Sequence, residues 1–200
     1  MNVNKKTIIT ILLALVTMVG QAQEIKMNEP SFSDYLPLLN AKGYMAYSFD
    51  TKKFKGAVVE PVVMEYLKGE EPKNVLDFNI IMSLDRKLVI GFRPSDSDST
   101  ANYLFHFSEN RGFGGQLNLK PIFAPENPED KWYMYESRPF ELTDSFEKGT
   151  FIPLVLYGSY WYDPQASGCR FCGDNEIKPD LSSDIVKSIP HFFVLGIKIK

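Results

Sequence analysis

The stretch LVIGFRPSDSDSTANYLFHF, residues 88–107, decides the fold class of this 200-residue chain. Its two ends, Leu88–Arg93 and Tyr103–Phe107, are short runs of β-branched and aromatic residues, separated by a segment of proline, serine, aspartate and threonine. That composition reads as strand, turn, strand. Within Tyr103-Leu-Phe-His-Phe107, the two-residue period of a strand puts the three aromatic rings on one face and Leu104 with His106 on the other. One face is made for a core.

The same signal recurs along most of the chain. Strands are predicted at Tyr44–Phe49, Ala57–Leu67, Val75–Ser83, Leu88–Arg93, Tyr103–Phe107, Gln116–Phe123, Trp132–Tyr135, Phe151–Tyr162 and His191–Ile199. Leu84–Lys87 is short enough to close a hairpin, and the glycines of Arg111–Gly115 suit a tight connection. Pro61 and Pro153 lie inside predicted strands, which calls for an edge or a bulge at each. Two short helices are expected. One runs from about Pro37 to Lys42 because proline is tolerated only in a first turn, and the other lies within Pro179–Ser188. Strands at short spacing without long intervening helices predict a mainly β fold, an antiparallel β-sandwich, with a lipocalin-like barrel as the alternative.

The N-terminus reads MNVNKKTIITILLALVTMVGQAQ, with Lys5 and Lys6 ahead of an apolar run from Ile8 to Val19 and small residues at Gly20 and Ala22. This is the pattern of a secretory signal peptide over residues 1–22, cleaved near Ala22, and the run is too short for a membrane span. No integral membrane protein is expected. Residues 23–31 are polar, contain Pro30 and read as a flexible lead-in; residues 32–200 form a single β-rich domain. Localisation is expected in the periplasm or outside the cell. Loss of Lys5 and Lys6 with the leader turns 22 basic against 25 acidic residues into 20 against 25, a charge near −5. With no dense basic face to exchange counterions, nucleic acid is excluded as a partner.

Export colours the reading of the two cysteines, Cys169 and Cys172, in GCRFCGD. In an oxidising compartment such neighbours close a structural disulfide, and Gly168 and Gly173 give the loop freedom to do so. A redox centre would need a helix N-terminus to lower the thiol pKa, and acids surround this loop instead. Zinc would have to recruit His106 and His191, which have no finger-like spacing, so no metal is assigned. Both histidines read as ordinary strand residues, and no Gly-x-Ser-x-Gly elbow accompanies them. Gly112–Gly115 lacks the third glycine and following helix of a nucleotide loop. Asp96 and Asp98 lack the later ligands of a calcium loop, and no cofactor is expected.

The densest chemical feature is aromatic. Lys131-Trp-Tyr-Met-Tyr-Glu136 and Tyr157-Gly-Ser-Tyr-Trp-Tyr-Asp163 hold both tryptophans and five tyrosines, with acids at their ends. Rings beside carboxylates stack on sugar faces while the acids take hydroxyls, so Trp132, Tyr135, Tyr160, Trp161 and Asp163 are the candidate ligand-binding residues. Core packing is the competing role for the same rings. No catalytic residue is assigned. Glu60, Glu65, Glu136, Glu141 and Asp163 could pair for glycoside hydrolysis, but sequence spacing does not give their separation.

The leader ending in Gly20-Gln-Ala-Gln23, the Phe32-Ser-Asp-Tyr-Leu36 opening, the aromatic β segments and the ending Ile189-Pro-His-Phe-Phe-Val-Leu-Gly196 resemble the small secreted proteins of unknown function found in gut bacteria of the Bacteroides type. That resemblance implies an envelope or periplasmic domain and no particular activity. The expectation is a non-enzymatic domain that binds a small ligand, a glycan or an envelope partner. A carboxylate-based glycoside hydrolase and a structural envelope component are the alternatives.

Overall fold

The computed structural model describes residues 27, 29–76, 79–108, 110–124, 127–142 and 147–200. The expected leader lies outside the described residues, as does most of the lead-in. The chain divides at Tyr35 into two compact units. In the first, Asp34 accepts hydrogen bonds from the Ser31 amide (2.6 Å) and hydroxyl (2.8 Å), which caps the start of a helix. That cap starts helix α1, Phe32–Ala41, five residues earlier than the sequence predicts. Pro37 therefore sits inside the helix, where it forfeits one backbone hydrogen bond. Gly43, with φ of +78°, ends the turn that follows.

Beyond Tyr35 the fold is mainly β, built from two antiparallel sheets. The first holds β1 (Met45–Asp50), β5 (Lys87–Pro94), β6 (Thr100–Ser108) and β7 (Arg111–Asn118), in that order. The second has the order β10 (Tyr135–Pro139), β11 (Phe151–Ser159), β14 (His191–Ile199), β2 (Val58–Leu67) and β3 (Lys73–Asn74), with β4 (Met82–Ser83) also on β2. The sheets do not close on each other, so the lipocalin-like alternative is set aside and the sandwich stands. Phe92 of β5 stacks on Tyr157 of β11 with centroids 4.5 Å apart, which seals one sheet to the other. Around this pair lie Leu88, Ile90, Phe105, Phe107, Leu195 and Phe193. Tyr103, Phe105 and Phe107 are all buried, Leu104 is exposed and His106 half-buried, the alternation predicted for that strand.

The second sheet is buried on both faces. On its outer side Leu156, Val194 and Phe192 pack against Phe171, Ile177 and Ile185, contributed by the segment that joins β11 to β14. That segment contains the ribbon of β12 (Trp161–Asp163) and β13 (Gly168–Arg170) and a one-turn helix α2, Asp184–Ser188, shorter than predicted. A second ribbon pairs β8 (Ile122–Ala124) with β9 (Asn127–Trp132).

Both strand prolines sit where the missing N–H does no harm. Pro61 faces β14 on one side and on the other falls in the gap between β4, paired to Val58 and Val59, and β3, paired to Met64 and Glu65. Pro153 marks a register shift before Val155. Two connections differ from expectation. Leu84–Lys87 is no hairpin, because β4 joins one sheet and β5 the other, so the segment crosses the sandwich. The glycines at 112, 114 and 115 lie within β7, where Gly115 leaves room for the Tyr103 ring; a Cβ there would stand 2.6 Å from its hydroxyl oxygen.

Candidate functional site

The edge strand β10 organises the site. Its even residues bond inward to β11, as the Phe140 amide just beyond does to the Leu154 carbonyl at 3.0 Å. Its odd residues turn their backbone groups to the open edge, where an unpaired strand invites another. Here the edge is plugged. The Ser137 amide donates to Glu136 Oε1 (3.3 Å), the Ser137 carbonyl accepts from Arg138 Nη1 (2.9 Å), and Pro139, with no N–H, has its carbonyl bonded by the Ile177 amide (2.9 Å).

Between β10 and β1, the edge of the facing sheet, opens a cleft of about 490 Å³ lined by Asn40, Gly43, Met45, Ala46, Tyr47 and Tyr135–Arg138. That volume falls within the range of ligand pockets, roughly 300–1,000 Å³. Tyr47 and Ser137 bridge its walls with a hydroxyl–hydroxyl bond of 2.8 Å. Arg138 lies over the Phe171 ring at 4.8 Å, its Nη2 reaches the Phe171 carbonyl at 3.5 Å, and its Nε is buried with no hydrogen-bond partner among the described residues.

Tyr135 leads from this cleft into a buried polar chain. His191, 1% exposed, faces Glu65 Oε1 through Nε2 at 3.0 Å and the Tyr135 hydroxyl through Nδ1. Glu65 also holds Lys73 at 2.9 Å. Burial raises the Glu65 carboxyl, but the hydrogen bonds from Lys73 and His191 together outweigh it and hold the group below its ordinary value. An ionised carboxylate only accepts, so His191 Nε2 carries the hydrogen and Nδ1 accepts from Tyr135. The tyrosine oxygen in turn accepts the Lys120 amide at 2.9 Å. Burial lowers the His191 pKa and raises that of Tyr135, so both side chains are neutral near pH 7. The chain ties together β2, β3, β14, β10 and the segment after β7.

The two aromatic stretches meet here. Tyr135 pairs with Ser159 in register, and the Tyr160 amide donates to the Met134 carbonyl at 2.9 Å. Trp132, 40% exposed, ends β9, and β12, which carries Trp161, runs beside β8. Tyr160 and Trp161 are half-buried, with ring centroids 5.3 and 6.2 Å from Phe171. Asp163 braces its own ribbon, through Arg170 at 2.9 Å and the Gln165 amide at 2.9 Å.

The cysteines are free. Cys169 lies half-buried in β13, while Cys172 is exposed two residues beyond the end of that strand, and the expected disulfide is not formed. Burial raises the Cys169 pKa. The remaining acids are scattered: Glu60 pairs with Lys200, and of the five carboxylates singled out by sequence only Glu136 lines the cleft. Among the described residues no three His, Cys, Asp or Glu side chains gather as a metal site, and no helix is long and apolar enough to cross a membrane.

The sequence reading passes over Glu65 and His191 as a pair because 126 positions separate them. The available signal is a carboxylate inside the apolar run VVEPVVMEYL, which demands a buried partner.

A family model described as a domain of unknown function (DUF5041) matches residues 78–200. The chain belongs to this family. The match begins after β3, although β1 and β2 are built into the two sheets, β2 at the centre of its own. No curated protein and no solved structure matches the chain.

Proposed function

We propose that this DUF5041 protein is an exported β-sandwich module that binds a small, hydroxyl-rich ligand, a glycan in the first instance, without transforming it. The leader read in residues 1–22 supports export to the periplasm or the exterior, in the company of the secreted proteins it resembles. The observation that carries the binding proposal is convergence. Pairing of β10 with β11 brings the two aromatic stretches together at the start of β10, the strand whose residues Tyr135–Arg138 line a polar concavity of ligand size. Trp132, Tyr160 and Trp161 offer ring faces, Tyr135 offers a wall, and Glu136 and Asn40 offer polar contacts within the cleft.

Calorimetric titration of the chain starting at Gln23 with a panel of neutral and acidic oligosaccharides tests this. Binding should weaken at least about tenfold when Trp132 and Trp161 are both replaced by alanine, since ring stacking contributes on the order of 1–2 kcal/mol per ring. Unchanged affinity in the double variant would reject the aromatic surface as the site.

A further inference from the structure

We infer that the cleft between β1 and β10 selects ligands bearing a carboxylate, and that Arg138 is the residue that reads it. The inference rests on the glycan-binding proposal above and narrows it to acidic sugars.

Arg138 is a held cation whose donors are underused. A guanidinium has five N–H groups in a planar fork. Among the described residues two hydrogen bonds engage it, to the Ser137 carbonyl at 2.9 Å and to the Phe171 carbonyl at 3.5 Å, the second at the limit of hydrogen bonding. Its Nε–H is buried and has no partner among the described residues, so the two Nη groups are the ones that can meet a ligand. The nearest carboxylate oxygen, Glu136 Oε1, stands 3.9 Å from Nη1, beyond hydrogen-bond distance, and already accepts the Ser137 amide. The charge is therefore attracted to Glu136 without being bonded to it.

Arg138 is also presented rather than buried outright. Its side chain keeps 23% of its exposure and lies on the Phe171 ring, which fixes the fork in one plane. Planar carboxylates bind such a fork through two parallel hydrogen bonds, a geometry that lysine does not reproduce. The cleft around it supplies the Asn40 amide and the Glu136 carboxylate as polar groups, while the Tyr47 and Ser137 hydroxyls are bonded to each other across its walls. A carboxylate on the sugar takes the place beside Arg138 that Glu136 fills only loosely, and the ring hydroxyls meet the remaining polar wall.

The test is calorimetric or NMR titration of the chain starting at Gln23 with D-galacturonate, D-galactose and acetate. Galacturonate should bind about tenfold or more tighter than galactose, and Arg138→Gln should erase that preference while leaving galactose affinity unchanged. Equal binding of the two sugars, lost in the Trp132 and Trp161 double variant but untouched by Arg138→Gln, overturns acidic selection and keeps the glycan reading. Binding of acetate that depends on Arg138, with no gain from the sugar ring, keeps the anion site and overturns the glycan reading. No binding of any of the three overturns both. Should Arg138→Gln fail to fold, Arg138→Lys decides: it keeps the charge and loses the planar fork, so the preference for galacturonate over galactose should fall several-fold, and an undiminished preference overturns the inference.

Discussion

The two sheets of the sandwich share one core and differ in what covers their other face. In the first sheet the outer face meets solvent, and β6 alternates buried and half-buried or exposed residues along its length. In the second sheet the outer face is roofed by the β12–β13 ribbon and α2, and β14 is buried at seven consecutive positions, from His191 to Ile197. The number of covered faces, not strand propensity, sets the sequence pattern. The difference also places the site. The cleft opens on the side where the solvent-faced sheet ends at β1 and the roofed sheet ends at β10, so Arg138 has the cleft beside it and the roof's Phe171 beneath.

The largest effect should come from the shared core. Phe105→Ala removes a fully buried ring that stacks on Phe107 and Phe113, and guanidinium denaturation should show a loss of about 3–5 kcal/mol. The comparison between sheets is sharpest at their outward-facing leucines. Leu156→Ala, under the roof, should cost about 2–5 kcal/mol, while Leu104→Ala, 45% exposed on the open sheet, should stay within about 0.5 kcal/mol. Similar losses at the two positions would show that the roof is not packed on the sheet.

A further effect is a pH dependence confined to the roofed sheet. The His191 pKa is depressed in the folded state, so the unfolded chain takes up a proton that the folded chain refuses. Stability should be full above the ordinary imidazole value of 6.5 and fall as pH drops through and below it. Glu65, also depressed, adds a second loss as pH falls below its ordinary 4.5. His191→Gln should abolish the first stage of the decline. It should also lower stability near pH 7 by about 1–3 kcal/mol, because the replacement leaves part of the buried Glu65–Tyr135 chain unbonded. A denaturation midpoint that is flat from pH 7 to pH 5 in the parent chain would contradict the neutral, buried imidazole.

Much of the fold is legible in the chain because each strand writes its own burial. Tyr103–Phe107 and His191–Ile199 lie where the pattern puts them, and of the edge or bulge expected at each strand proline, Pro153 shows a bulge while Pro61 lies in an interior strand, at a gap between its short partners. The misreadings occur where partner choice matters. Leu84–Lys87 looks like a hairpin because both flanks are apolar, yet its flanks join different sheets. Val75–Ser83 reads as one strand, but among its described residues only Met82 and Ser83 form a named strand, while the Val75 amide bonds the Val63 carbonyl of β2 at 2.9 Å and Val75 and Leu76 pack against the core. The α1 start escapes because Pro37 argues for a first turn there, whereas the Ser31–Asp34 cap starts the helix earlier and leaves Pro37 inside it.

The candidate site was legible only in its raw materials. Two aromatic stretches stand out in the sequence, and the register of β10 on β11 is what makes them neighbours. Asp163 looks like a ligand group beside tryptophan, and Arg170, seven residues on across a ribbon, claims it. Arg138 carries no signal at all in sequence, since its role comes from a ring 33 positions away.

The sequence alone determined that this chain is a β-rich domain with one aromatic face per strand, because the two-residue period of side chains is local and cannot be hidden. Tertiary structure decided which strands pair, which sheet receives a roof, that Cys169 and Cys172 stay free, and that Glu65 meets His191. Those outcomes depend on contacts between residues whose separation along the chain says nothing of their distance in space, and burial is settled by all of them together.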